Sequence, residues 1–514
     1  MADNGDMFPN KLKITFERIV QSDPRGKILD VATEVVSYAI LWEQAHEIAL
    51  ELELALGKEK RHVIVDSKKC SSSLAIVVAC WLLKWSYTFV DMKQPIQRTE
   101  QIMYASNASV LILQRSTEGI TFGEKIELNS LELLNLKMSV QESNFYPFGP
   151  DTCYIMFTSG STGAPKGVPI SDEQVLQFAN WLIEEFAVTD QDVLTSVNPW
   201  YFDNSVFDIY ISLLSGASLA LVDIDDSGGS LNWIDSLIHK KPTVWFSVPS
   251  LLIFLQSVGA FKESKLGCLR LIIFGGEAYP KPHLLQLMED QGPTTHYVSV
   301  YGPTETTCIC SVTKVNEAEL RSSASFVSLG EFPNFFKVSL TDSFKLANGE
   351  IAGELMLGGS NVTEGYVDEK DSSGKFAHIT LSDGKAERYY FTGDLVSYNQ
   401  ELGRLCFIGR KDNQVKRFGV RIELEEIESR LEKEFQSLFL ADFDSSRSPD
   451  LCLVYKAKTT LDRKEVEYLC NTILPSYMVP RVVFEVAELP VNANGKKDRK
   501  RARELIRELL EVKM

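Results

Sequence analysis

The sequence predicts an α/β protein in two parts. The first is a large N-terminal α/β domain of several subdomains, with parallel sheets and a small β-barrel-like part; the second is a small C-terminal α+β domain. Three observations predict it. Across 13–140 and again across 172–300, short β-prone runs alternate with helical periodicity, the pattern of parallel sheets covered on both faces by helices. Across 328–409 the pattern changes to short strands broken by Gly and Asn, as in a small barrel or distorted sheet. Beyond Arg410 a further α/β stretch runs for about 100 residues, an ordinary domain size. The chain's 514 residues exceed what one hydrophobic core organises, so the expected division is 1–409 and 410–514.

Taken in order, residues 39–57 read as an amphipathic helix ending at a glycine. Residues 62–66, HVIVD, form a short buried-type strand; 73–85 form a buried helix and 87–91 the next strand. A helix over 98–106 precedes a strand over 109–114. Tyr154, Ile155, Met156 and Phe157 are a β-prone run that enters a loop rich in glycine and hydroxyl groups. Ser171 is placed to cap a helix over 172–186. Strand, helix and strand follow at 193–198, 206–214 and 218–223. The β-type runs 243–247 and 269–274 are each followed by helical periodicity, at 250–257 and 280–289, and 297–300 leads into a Gly-Pro turn. In the C-terminal part, helices are expected at 424–434, 463–473 and 499–512.

Composition excludes several classes of function. With 44% hydrophobic and 24% charged residues, the chain is of ordinary globular type. A net charge of −17 argues against a nucleic-acid partner. The nine cysteines include no CxxC pair and, without a secretory signal, read as reduced thiols of a cytoplasmic protein. The six histidines are dispersed, and no His/Cys metal cage is expected. The most apolar stretch, 74–83, falls short of the ~20 residues that a bilayer requires, so no membrane partner is expected either. The acidic N-terminus lacks the basic start and apolar core of a signal peptide.

The chemistry is concentrated in five motifs. Residues 154–169, YIMFTSGSTGAPKGVP, run a strand into a loop of backbone N–H and hydroxyl donors: Thr158, Ser159, Gly160, Ser161, Thr162 and Gly163, followed by the cation of Lys166. Successive N–H groups of this kind form a concavity that can wrap a polyphosphate. No Gly-Lys-Ser/Thr triplet closes the loop, so it is not a P-loop. Residues 301–307, YGPTETT, offer the aromatic face of Tyr301 to a base. The same motif offers the Thr304 hydroxyl to a phosphate and the Glu305 carboxylate to Mg²⁺; the plainer alternative is a solvent-facing turn. Residues 391–395, FTGDL, set Asp394 after a strand, where a carboxylate can accept from ribose hydroxyls. Residues 407–412, FIGRKD, add the donor fork of Arg410. Residues 489–499, LPVNANGKKDR, present Lys496 after an Asn-Gly turn.

These motifs, in this order over roughly 157–500, resemble the acyl-adenylate-forming (AMP-binding) enzyme superfamily of acyl-CoA synthetases, luciferases and nonribosomal-peptide adenylation domains. The resemblance implies ATP and Mg²⁺ as cofactors, Tyr301 packed on adenine and Glu305 serving magnesium. It assigns Gly276, Glu277, Ala278 and Gly302 to the nucleotide as well, with Asp394 on ribose. Lys496 is then the catalytic lysine, bridging the substrate carboxylate and the α-phosphate; Lys497 is adjacent, but the motif register favours Lys496. Asp412 becomes the hinge of a mobile C-terminal domain that serves two half-reactions in turn.

Residues 200–210, WYFDNSVFDIY, bear on the substrate. They resemble an element of amino-acid-activating domains, especially ligases that load D-alanine on a carrier protein, in which Asp203 pairs with an α-ammonium. Capping of the following helix is the other role open to Asp203. By the same register the pocket comprises Asn204, Phe207, Phe246, Ile273, Gly275, Val300, Cys308 and Ile309. It is mostly apolar, so a charged substrate side chain would be left unpaired there. Gly275 departs from the cysteine associated with the D-alanine ligases, and the set is closer to patterns for aliphatic residues. The expectation is a free-standing ligase that makes an aminoacyl adenylate and meets a separate carrier with its phosphopantetheine thiol. An acyl-CoA ligase for an acid without an amino group and a non-catalytic adenylate-binding regulator are the alternatives.

Overall fold

The computed structural model describes residues 10–30, 34–108, 110–114, 124–127, 131–135, 149, 151–160, 163–224, 231–262, 265–380, 386–435, 439–444, 450–456, 463–490 and 497–513. The chain forms two compact units. One comprises Met1–Asp91, Met103–Phe157 and Gly167–Lys411; the other comprises Met92–Ile102, Thr158–Lys166 and Asp412–Met514.

In the first unit, one sheet of eight strands runs in the order Ser311–Lys314, His296–Tyr301, Leu271–Gly275, Val244–Ser247, Val193–Ser196, Ser218–Leu221, Lys27–Leu29, Val35–Ser37. Its interior pairings are parallel, and both edge strands pair antiparallel. A second sheet, of seven strands, runs Glu124–Glu127, Leu131–Asn135, Val110–Gln114, His62–Asp66, Ser86–Val90, Thr152–Thr158, Lys166–Ser171. The strand His62–Asp66 is buried at every position, as expected of a parallel strand covered on both faces.

The helices follow from their sequences with small displacements. Tyr38–Leu56 ends at Gly57, which takes φ 85°. Ser71–Leu83 has no polar face because Leu74 to Trp81 are all buried. Asp172–Glu185 begins with a capping box: the Ser171 hydroxyl accepts from Gln174 N, and the Gln174 side chain accepts from Ser171 N. The stretch expected as one helix over 206–214 is instead three pieces: Asn204–Val206, a π-turn over Phe207–Ile211, and Ser212–Ser215, stopped by Gly216 at φ 77°. Periodicity cannot register a single widened turn, since the residues remain helical in φ.

The stretch 328–409 contributes a five-stranded antiparallel sheet with three register shifts, at Thr341/Phe344, Glu354/Met356 and Leu395/Val396. The last segment of the second unit opens with a hairpin, Gln414–Arg417 against Val420–Glu423, turned by Phe418 (φ 52°) and Gly419 (φ 75°). The helix Leu424–Phe435 follows. A three-stranded sheet of Phe439–Asp444, Asp450–Lys456 and Val482–Val486 is accompanied by helices Arg463–Ile473 and Arg499–Lys513. Among the described residues, no helix is long and apolar enough to cross a membrane.

Candidate active site

Asp394 and Arg410 lie on neighbouring antiparallel strands and face each other directly in the register. Arg410 Nη1 donates to Asp394 Oδ1 at 2.5 Å, and Tyr301 Oη donates to Asp394 Oδ2 at 2.6 Å. Arg410 also donates to the carbonyl of Thr392, whose hydroxyl accepts from Asp394 N. Burial, and then the Asp394 charge, hold the Tyr301 phenol well above its ordinary pKa, so it stays protonated and donates. Three residues taken from three motifs thus form one cup of aromatic face, carboxylate and guanidinium.

The turn after Tyr301 is not a solvated one. Thr304, Glu305, Thr306 and Thr307 are buried, Glu305 completely. Tyr366 Oη donates to Glu305 Oε1 at 2.5 Å, and the backbone N of Thr363 donates to the Glu305 carbonyl. The chain doubles back tightly here: a Cβ on Gly302 would lie 2.2 Å from the Cys308 carbonyl oxygen. Thr307 (φ 60°) and Cys308 (φ 74°) take left-handed backbone conformations, strain of the kind that concentrates at functional sites.

The expected pocket residues gather around that turn. Phe207 and Phe246 meet edge to face at 5.0 Å, and Phe246 and Ile273 are register partners, as are Gly275 and Val300. A Cβ on Gly275 would meet the Val300 carbonyl at 2.6 Å and its Cγ2 at 2.7 Å, so glycine is required by the close approach. Cys308 and Ile309 are buried, and Asn204 is half-buried. Asp203 occupies the N-cap position of Asn204–Val206 but makes no side-chain capping bond. Its Oδ2 accepts instead from Thr304 Oγ1 at 2.5 Å. Burial raises the Cys308 thiol pKa, and the charges of Asp203 and Asp208 add to the rise, keeping the thiol neutral. A separate small cavity is lined by Tyr87, Phe89, Tyr154, Met156, Trp200 and Val206 and by none of the expected pocket residues.

A family model described as "AMP-binding enzyme" matches residues 16–367. The chain belongs to that family. It is 30% identical over 511 residues to a D-alanine--D-alanyl carrier protein ligase of Bacillus licheniformis, covering 96% of this chain and 99% of the relative. A ligase of the same description from Listeria monocytogenes is 30% identical, with 81% and 83% covered. The chain also matches bacitracin synthase 1 of Bacillus licheniformis at 29% identity, but spans only 9% of that protein. In fold it is similar to the Vibrio cholerae adenylation domain AlmE, solved with glycyl-adenosine-5'-phosphate, at TM-score 0.78 and 19% identity, covering 99% of this chain and 100% of that one. It is likewise similar to an NRPS protein containing adenylation and PCP domains, at TM-score 0.78 and 23% identity, with 96% and 83% covered. The family is one of ligases that use ATP.

In this AMP-binding enzyme the glycine- and hydroxyl-rich loop lies in the second unit, with Ser161 and Thr162 outside the described residues. Gly160 N donates to Glu426 Oε2 at 3.1 Å, and Ser159 Oγ donates to the Arg421 carbonyl at 2.8 Å. Gly163 takes φ 83°, and Lys166 is buried. The loop N–H expected to meet phosphate is here bonded to a carboxylate, which Arg430 (2.8 Å) and Arg98 (3.4 Å) also neutralise. Lys496 lies outside the described residues. Lys497 forms ion pairs with Glu428 and Glu432, both at 2.7 Å, an occupied structural role. Asp412 begins the last segment of the second unit and accepts from Gln414 N. In the first unit, Gly276 takes φ 83°, Glu277 accepts from Ser250 N at 3.2 Å, and Ala278 is exposed.

Glu305 is the carboxylate here that would suit Mg²⁺. Among the described residues no cluster of three His, Cys, Asp or Glu side chains can hold an ion. A buried carboxylate such as Glu305, steadied by Tyr366, suits a hard cation that draws its other oxygens from phosphate and water. Three partners escaped the sequence reading. Tyr366 reaches Glu305 from 61 residues away. Asn198 Nδ2 donates to both carboxylate oxygens of Asp208, at 3.3 and 3.1 Å, and to the Phe246 carbonyl at 3.0 Å. Burial raises the Asp208 pKa well above its ordinary value, against the lowering effect of the Asn198 hydrogen bond. The inward face of the 207–211 turn was the available signal for Asp208; nothing local marks Tyr366.

Proposed function

We propose that this AMP-binding enzyme activates an amino acid with ATP as the aminoacyl adenylate and transfers it to the phosphopantetheine thiol of a separate carrier protein. The observation that carries the reading is Asp203, a carboxylate beside an apolar pocket that does not cap its helix and accepts from the Thr304 hydroxyl. A half-buried carboxylate at the edge of an apolar pocket is a fitting counter-charge for an α-ammonium, in addition to the hydroxyl it already accepts from. The 30% identity to carrier-protein ligases, over 96% of this chain for one and 81% for another, supports the transfer step.

In the first half-reaction, a substrate carboxylate oxygen attacks the α-phosphorus and the bond to pyrophosphate breaks. The protein contributes positioning and charge rather than covalent chemistry. Tyr301, Asp394 and Arg410 hold the nucleoside. The loop residues Thr158 to Gly163 and the Lys166 cation take the phosphates, displacing the Glu426 carboxylate from Gly160 N. Lys496 bridges the reacting carboxylate and the α-phosphate. Glu305 would hold Mg²⁺, which would supply charge neutralisation on the departing pyrophosphate. Rotation at Asp412 then exchanges Lys496 for the carrier's thiol.

The preferred substrate is apolar, because Phe207, Phe246, Ile273, Val300 and Ile309 offer no counter-charge. The test is amino-acid-dependent pyrophosphate exchange across the common amino acids, repeated with Asp203→Ala. Activation of apolar amino acids, lost in that variant, is expected. Preference for Asp, Glu, Lys or Arg would overturn the pocket assignment. Normal activation of amino acids by Asp203→Ala would remove Asp203 from recognition of the ammonium, whereas absence of exchange by wild type with every amino acid would return the reading to an acyl-CoA ligase for an acid without an amino group.

A further inference from the structure

One hydrogen bond joins two groups that the proposed function gives to different substrates. Thr304 stands in the turn after Tyr301, next to Glu305, on the nucleotide's side of the reading. Asp203 belongs to the amino acid. The Thr304 hydroxyl, 101 residues away in sequence, donates to Asp203 Oδ2 at 2.5 Å. A threonine hydroxyl carries a single proton, and both an aspartate carboxylate and a phosphate are acceptors only. Thr304 therefore cannot donate to both at once. The Asp203 charge is felt at the pocket residue Cys308: burial is the larger cause of its raised thiol pKa, and the Asp203 charge adds to the rise.

Resting on the proposed amino-acid reading, we propose that Thr304 is a positioning residue that couples occupancy of the amino-acid site to nucleotide affinity. In the free enzyme its proton serves Asp203. When an α-ammonium binds, Asp203 gains a charged donor, and the threonine hydroxyl turns its proton to a phosphate oxygen of the nucleotide. The nucleotide is then gripped more tightly with the amino acid present, and by linkage the amino acid is gripped more tightly with nucleotide present by the same factor. An acid that lacks the amino group leaves Asp203 without its new donor, so it fails to recruit the hydroxyl. Selection for the ammonium is thereby expressed at the phosphate.

The test uses α,β-methylene ATP, which cannot release pyrophosphate from the α-phosphorus. Its affinity is measured by calorimetry on the full chain, alone and with the amino acid that wild type exchanges fastest. The same measurement is repeated with the corresponding deaminated acid. Wild type and Thr304→Ser should both bind the analogue about tenfold more tightly with the amino acid than without it, within the usual range of coupling between sites. The deaminated acid should give no tightening. Thr304→Val, close in shape but without the proton, should show no amino-acid dependence. Asp203→Asn should bind the analogue without amino acid at nearly the affinity of amino-acid-loaded wild type, because the amide no longer holds the hydroxyl as strongly.

A folded Thr304→Val with the wild-type coupling would overturn the proposal. So would Asp203→Asn with the low affinity of free wild type, an outcome that stands even where Thr304→Val fails to fold. Absence of exchange by wild type with every amino acid would instead defeat the underlying amino-acid reading.

Discussion

Asp394→Ala removes the carboxylate to which both Arg410 and Tyr301 donate. The Asp394 and Arg410 side chains are 6% and 13% exposed, so their pairing at 2.5 Å is largely shielded from water. Removing one partner of such a pair leaves a buried charge uncompensated, at a cost of about 3–5 kcal/mol. The Tyr301 hydroxyl loses its acceptor as well, which is part of the same penalty rather than an addition to it. Asp394→Asn keeps one acceptor oxygen but loses the charge and turns its amide N–H toward the other donor, so it should cost somewhat less than the alanine. Combining Asp394→Asn with Arg410→Met removes both charges and should recover most of the loss, because a matched apolar replacement of a buried pair is often nearly neutral. Urea unfolding of the four proteins at pH 7 measures this directly. In parallel, AMP affinity should fall roughly 10- to 100-fold in all three variants, each lacking the carboxylate expected to accept from ribose. The reasoning is refuted if Asp394→Ala stays within about 1 kcal/mol of wild type, or if the double variant is as unstable as the alanine.

Lys496→Ala should lower amino-acid-dependent pyrophosphate exchange about 10²-fold, close to 3 kcal/mol in the barrier, with AMP binding retained; a wild-type rate would shift the catalytic role elsewhere. Gly302→Ala drives a Cβ to 2.2 Å from the Cys308 carbonyl, so it should destabilise by about 1–3 kcal/mol and weaken nucleotide binding, and an unchanged melting temperature would contradict the packing. Burial lowers the His62 pKa from its ordinary 6.5 to about 3. The fold thus favours the neutral ring, and the associated stability is complete above pH 6.5 and lost as pH falls towards 3. Between pH 7 and 5, wild type should therefore lose about 2 kcal/mol more than His62→Gln in urea titrations; parallel losses would remove His62 from the account. Asp412→Pro, which locks φ near roughly −65°, should impair transfer to a phosphopantetheinylated carrier far more than exchange, and equal loss with an intact fold would argue against a hinge there.

The elements that the chain states locally were legible as a sequence. HVIVD is a strand at 62–66 in both accounts, because a run of β-branched residues between polar breaks has no competing period. The helix after Ser171 is announced by its own cap and by Gln174 three residues on. The helix Arg463–Ile473 was expected over the same residues. Boundaries drifted by two residues where the signal was uniform: Ser71–Leu83, expected over 73–85, is apolar from Leu74 onward and ends at Lys84 in the left-handed conformation, which no residue type there foretells. The antiparallel edges of the two large sheets were invisible, because strand direction depends on the partner and not on the strand.

The sequence by itself determined which chemical groups are present, in what order, and that they belong to an AMP-binding enzyme. Hydroxyls, carboxylates and cations carry their chemistry wherever they are placed, and the five motifs are each short and contiguous. Only the tertiary structure decided which groups meet. Tyr301 and Asp394 are 93 residues apart and share a hydrogen bond. Asp203 was read for an ammonium and Thr304 for a phosphate, yet the fold joins them. Glu305 was read for a metal and carries a Tyr366 phenol as well. Gly160 N, read for phosphate, is bonded to Glu426, 266 residues on. Hydrogen bonds act over about 3 Å and are blind to sequence separation. The pairings that set each group's charge and availability therefore arise from the packing of sheets and helices and are absent from the one-dimensional order.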